Sequence, residues 1–120
     1  MKVYTKKDEL ESVLKEKHVP IIKVPEKVEV GKEFEVIINV GEKVSHPNTV
    51  EHHIKWIQVF SEIEDRTHNP VHVATFDFEP TFAEPKIKFK MKLEKSATLI
   101  ALEYCNLHGV WENSVKIEVE

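Results

Sequence analysis

Apolar and polar residues alternate along most of this chain, most clearly after Pro20. Val28-Glu29-Val30 alternates and meets a turn at Gly31-Lys32, and Glu33 to Val40 continues less regularly up to Gly41. Ile54 to Phe60 reads as a strand. Its successive side chains point to opposite faces, Ile54, Trp56, Gln58 and Phe60 on one and Lys55, Ile57 and Val59 on the other. The polar stretch 62–70 predicts a loop, Val71 to Phe78 the next strand, and Pro80 and Pro85 bracket a turn region. Lys86 to Leu93 alternates strictly, which sends Ile87, Phe89, Met91 and Leu93 inward and four lysines to water. Ala97 to Tyr104 predicts a more buried strand, and Ser114 to Val119 closes the chain with Val115, Ile117 and Val119 inward.

Ahead of these strands, Thr5 to Lys17 reads either as a short helix or as a surface turn. Thr5 serves as N-cap, Asp8 follows three residues on, and Leu10, Val13 and Leu14 form its apolar face. Pro20 then forces Val19 out of the helical region and starts the extended part of the chain. About seven short strands with regular turn signals and little helix predict an all-β fold, an antiparallel β-sandwich. No repeat, low-complexity tract or linker interrupts the pattern, so residues 1–120 are expected to form a single domain. Lysines protect the edge strands from pairing with other chains.

Composition narrows the functional classes. A chain of 120 residues with 41% hydrophobic and 32% charged residues is long enough for a core and ordinary for a soluble protein. A net charge of −4 provides no basic field for nucleic acid or an anionic membrane. With one cysteine there is no internal disulfide, which fits a reducing compartment. Neither a signal peptide nor a membrane span is visible, so the expected location is cytoplasmic. Abundant Lys and Glu beside one Arg, one Gln and one Cys lean towards a thermophilic source.

Three stretches carry chemistry. Tyr104-Cys105-Asn106-Leu107-His108-Gly109-Val110-Trp111 holds the only thiol, with an imidazole beyond two intervening residues and a glycine that allows a tight turn. His46-Pro47-Asn48-Thr49-Val50-Glu51-His52-His53 holds three histidines. Fully extended, it would part His46 from His52 by about 20 Å at roughly 3.3 Å per residue. Metal ligands lie only about 2 Å from their ion, so shared coordination demands a turn, and Pro47-Asn48 is the predicted turn pair. His52 and His53 point to opposite faces of a strand, so only one of them reaches the metal. The third stretch is Glu16-Lys17-His18-Val19-Pro20.

The candidate ligands are therefore His18, His46, His52, Cys105 and His108, with Glu16 close by, while His68 and His72 belong to the surface. A blue-copper carrier needs two histidines, one cysteine and a weak axial methionine, but neither Met1 nor Met91 follows His108. A structural Cys-His₃ zinc site uses four ligands and leaves one over. A non-enzymatic β-sandwich leaves the histidine clusters unexplained.

Together and in this order, the three stretches resemble the superoxide reductases of the one-iron neelaredoxin type, equivalent to the catalytic domain of desulfoferrodoxin. The resemblance runs from about Lys15 to the C-terminus. A single cysteine rules out the four-cysteine iron module that the desulfoferrodoxin type adds. The resemblance implies an immunoglobulin-like seven-stranded sandwich or barrel, often a homotetramer, around a mononuclear non-haem iron. By motif the four equatorial imidazoles are His18, His46, His52 and His108, and the axial thiolate is Cys105. Glu16 matches the carboxylate that takes the sixth position in the oxidised state, and Lys17 the lysine beside the open site, so both are expected catalytic residues. The reaction implied is one-electron reduction of superoxide to hydrogen peroxide without dismutation to O₂, fed by a rubredoxin-like electron donor. Lys17, with Lys15 assisting, would steer the anion, and backbone N–H groups near Asn106-Leu107-His108 would tune the Cys105 sulfur.

Overall fold

The computed structural model describes all 120 residues. Its order is α1 (Ser12–His18), β1 (Ile21–Lys23), β2 (Lys27–Val28), β3 (Phe34–Asn39), β4 (Ile54–Ile63), β5 (Val71–Asp77), β6 (Lys86–Met91), β7 (Ala97–Cys105) and β8 (Gly109–Val119). A three-stranded sheet, β1-β3-β6, faces a five-stranded sheet, β2-β8-β7-β4-β5. All pairings are antiparallel except that of β2 with β8. The predicted all-β sandwich is the observed fold. The eighth strand is the three-residue β1, too short for any periodicity to reveal, while β2 overlaps the predicted alternation at Val28.

Burial follows the alternation. Val36 and Ile38 from one sheet meet Ile57, Val59, Leu99, Ala101 and Ile117 from the other, all fully buried. Ile87, Phe89 and Met91 pack against this core, and the lysines between them are exposed as predicted.

The faces of β4 differ from expectation in one respect. Ile54 is buried on the same side as Ile57 because the register with β7 shifts between Ile54 and Trp56. That bulge inserts one residue and flips Ile54 inward. Trp56 remains on the outer face, 5.8 Å from Tyr104 ring to ring.

Both readings of Thr5 to Lys17 hold in part, a turn first and then a helix. Thr5 and Asp8 do make capping-type contacts, the Thr5 N–H donating to Asp8 Oδ2 at 2.7 Å and the Lys7 N–H to Thr5 Oγ1 at 3.2 Å. These bonds close a free-standing turn, and α1 begins only at Ser12. Its end is as expected. Val19, ahead of Pro20, takes ψ 121°, so His18 is the last helical residue. The segment before the helix lies along β8, where the Tyr4 N–H donates to Val110 O at 2.9 Å and Tyr4 O accepts from the Glu112 N–H at 2.8 Å.

No helix is long and apolar enough to cross a membrane.

Candidate metal centre

Three chain segments converge at one end of the five-stranded sheet. α1 brings His18, the connection between β3 and β4 brings His46 and His52, and the β7–β8 hairpin brings Cys105 and His108. The hairpin turns within Asn106-Leu107-His108 because Cys105 pairs with Gly109, whose φ of 82° lies in the left-handed region that glycine tolerates. A second glycine sets His46. At Gly41 (φ 76°) a Cβ would stand 2.6 Å from the His46 amide nitrogen, so only glycine lets the two backbones approach this closely.

The four imidazoles close a ring. Centroid separations are 4.8 Å for His18–His46, 4.5 Å for His46–His52, 5.1 Å for His52–His108 and 4.8 Å for His108–His18. The Cys105 sulfur adjoins this ring, 3.4 Å from His46 Nε2 and 3.7 Å from His108 Nδ1. One ligand atom from each of His18, His52, Cys105 and His108 lies within 4.8 Å of the others. His46 joins them through its Nε2, 3.2 Å from His18 Nε2.

Hydrogen bonds fix the tautomers. His18 Nδ1 lies 2.8 Å from Leu14 O and His46 Nδ1 lies 2.7 Å from Pro47 O. A carbonyl only accepts, so both Nδ1 atoms carry the proton and both Nε2 atoms present lone pairs. Burial pulls both imidazoles down to about 4, so they are neutral at pH 7. Two lone pairs facing each other across 3.2 Å repel unless a cation lies between them. His52 Nε2 is buried with no partner at all, and its pKa is lowered first by burial. His108 turns Nδ1, not Nε2, towards the sulfur. The arrangement thus offers three Nε2 atoms, one Nδ1 and one sulfur. Five convergent donors fit a transition metal and exceed what a structural zinc site uses.

Burial pushes the Cys105 thiol up, while the backbone N–H groups of Leu107 and His108 pull it back, as the sequence suggested. The nearby Glu103 is fully buried with neither carboxylate oxygen partnered, and burial holds it well above the usual carboxylate range. The β7 alternation that ends at Cys105 places Glu103 on the inner face, a signal the sequence carried but that was not read from it.

Each remaining candidate has a clear location. Lys17 is half-buried, and its charge lowers the pKa values of His18 and His52. Glu16 is exposed and is not grouped with the ligand atoms; it lines a separate cavity of about 390 Å³ with Lys6, Lys15, Lys43 and Asn113. His53 points elsewhere, its Nδ1 3.1 Å from Thr49 O, so His52 is the member of that pair at the site. His68 and His72 are exposed. The reversal between His46 and His52 is not at Pro47-Asn48; it is closed by the Thr49 N–H donating to His52 O at 2.9 Å. Asn48 instead anchors the loop sideways, accepting from the Thr81 N–H at 2.8 Å. Sequence reasoning also missed Trp111, whose indole stacks on His18 at 4.9 Å and donates to His108 O at 3.1 Å.

Comparison with known proteins agrees with this geometry. The family model described as desulfoferrodoxin matches residues 10–114. A superoxide reductase of Thermococcus kodakarensis is 41% identical over 106 residues, covering 86% of this chain and 89% of the relative. A neelaredoxin of Megalodesulfovibrio gigas is 31% identical over 117 residues, covering 88% of this chain and 89% of the relative. The solved superoxide reductase (neelaredoxin) of Ignicoccus hospitalis superposes with a TM-score of 0.91 at 43% identity, covering 98% of this chain and 95% of that one. A sandwich that gathers four imidazoles and a thiol, together with these matches, shows that the chain belongs to the desulfoferrodoxin family, as a superoxide reductase of the neelaredoxin type.

Proposed function

We propose that this protein reduces superoxide to hydrogen peroxide at one iron held by His18, His46, His52, His108 and Cys105. The single observation that carries the reading is the closed ring of four imidazoles with a buried thiol against it. Iron bound there supplies the one-electron exchange that, with two protons, converts superoxide to hydrogen peroxide.

The chain's own groups do the rest. Neutral imidazoles offer lone pairs without adding charge, which keeps a divalent ion favourable. The Cys105 thiolate would contribute the one negative donor and raise the electron density of a bound iron. Lys17 draws an anionic substrate towards a protein of net charge −4 and holds it by its ammonium group. Glu16 is two residues from His18 and would reach a bound iron if its carboxylate swung away from the neighbouring cavity.

A small rubredoxin-like protein is the donor we assign. The exposed His108 edge, beside Leu107, Leu10, Leu14 and Tyr4 in an open cavity of about 490 Å³, offers it an apolar docking face next to a ligand. A cytoplasmic homotetramer completes the proposal, since Phe82 (85% exposed) and Val50 (70% exposed) are apolar groups that an assembly would cover.

Metal analysis with the optical spectrum tests the reading. About one iron per chain is expected, with a visible thiolate-to-iron band on oxidation; copper or zinc in protein produced with iron available would contradict it. Lys17→Ala is expected to lower the second-order rate with superoxide by roughly tenfold and to flatten its salt dependence. Stopped-flow rates at two ionic strengths check this, and an unchanged rate at low salt rejects the steering role.

A further inference from the structure

We infer that Asn106 is a positioning residue that locks His52 against Cys105. The evidence lies in where its side-chain amide reaches. Asn106 Nδ2 donates to Glu51 O at 2.8 Å, and Asn106 Oδ1 accepts from the His53 N–H at 2.8 Å. Those two peptide groups belong to the residues on either side of His52. The backbone adds a third bond, from the Asn106 N–H to His53 O at 3.2 Å. One residue adjoining the thiol therefore grips the chain before and after a distant imidazole.

His52 depends on that grip more than His18 and His46 depend on any backbone contact. The rings of His18 and His46 are tied through Nδ1 to Leu14 O and Pro47 O. The ring of His52 has no such tie, and its Nε2 is buried without a partner. Its placement rests on its backbone, which Thr49 holds within the loop and Asn106 holds against the β7–β8 hairpin. Only an amide serves both contacts, because the Glu51 carbonyl requires a donor and the His53 N–H requires an acceptor. An aspartate in its place would keep one bond and set oxygen against oxygen at the other.

This inference rests on the metal reading above and deepens it. The test compares iron-loaded wild type with N106A, N106D and a control, N69A. Asn69 makes the same two-sided clasp, to the Ile63 N–H and carbonyl, in a loop with no ligand residue. Iron retention under excess chelator and the energy of the oxidised thiolate-to-iron band are measured for each. N106A and N106D are expected to hold iron roughly 10- to 100-fold more weakly, the scale on which outer partners of a metal site act, and to shift the band. N69A is expected to change neither readout. If N106A does not fold, N106D decides alone, since it keeps the shape and the His53 contact. Retention and band energy equal to wild type in the folded Asn106 variants would overturn the inference. A wild type that takes up no iron would instead overturn the proposed function.

Discussion

Cys105→Ser is expected to abolish the visible band of the oxidised protein and to reduce peroxide formation from superoxide by well over 100-fold. Losing a mere partner of a metal ligand costs roughly 10- to 100-fold, and this substitution removes a ligand itself. Cys105 is fully buried against the four imidazoles, 3.4 Å from His46 Nε2, so no other anionic side chain can take its place without moving the hairpin. Serine preserves the shape but not the charge. Its hydroxyl keeps its proton at neutral pH, whereas a thiol gives its proton up to a bound metal. Because burial raises the Cys105 thiol, loading the site must expel a proton, and iron uptake should weaken as the solution is acidified. Optical spectra and single-turnover kinetics of the variant check the prediction. A variant that keeps both the band and the rate would place the sulfur outside the site.

The largest stability effect is expected from Trp111→Ala. Trp111 is the bulkiest of the fully buried side chains, at 1% exposure. Its indole lies between Tyr4, at 5.0 Å, and His18, at 4.9 Å, and its N–H caps the His108 carbonyl. Truncation leaves a cavity under a ligand and removes the ring that Tyr4 packs on, a loss of about 3–5 kcal/mol. Trp111→Phe retains a stacked ring but leaves the His108 carbonyl without its donor, a smaller loss of about 1 kcal/mol. Denaturant titration of the metal-free proteins measures both. A loss under about 1 kcal/mol for the alanine variant would mean that the stack does not hold the site together.

These effects are local because the sequence encodes the site in two different ways. The sandwich is written in alternation, and alternation suffices wherever one face of a strand is buried and the other wet, as in Lys86 to Leu93. It fails at Ile54, where the side that faces inward depends on a register shift against β7 that no local pattern records. It fails again at Thr5 and Asp8, whose capping bonds are real but close a turn without a helix behind it. The ligands were legible as three clustered motifs, and their resemblance to a family sorted them into roles. What brings them together was not legible. In the sequence Gly41 only marks the end of the Glu33 to Val40 pattern, yet its function depends on the His46 backbone lying against it. Asn106 sits in the motif without a visible task until the loop carrying His52 is seen to hang on it. Glu103 needed only its place in the β7 alternation to be found buried. Glu16 is named by the motif alone, since no spacing or alternation marks it, and its side chain lines the adjoining cavity.

The most direct test of the account is the yield of hydrogen peroxide when the iron-loaded, reduced protein is mixed anaerobically with a limiting amount of superoxide. A reductase that takes its electron from the protein gives one peroxide for each superoxide consumed and releases no O₂, and that is the expected result. Half a peroxide per superoxide, with O₂ making up the balance, would mean dismutation and would contradict the central claim.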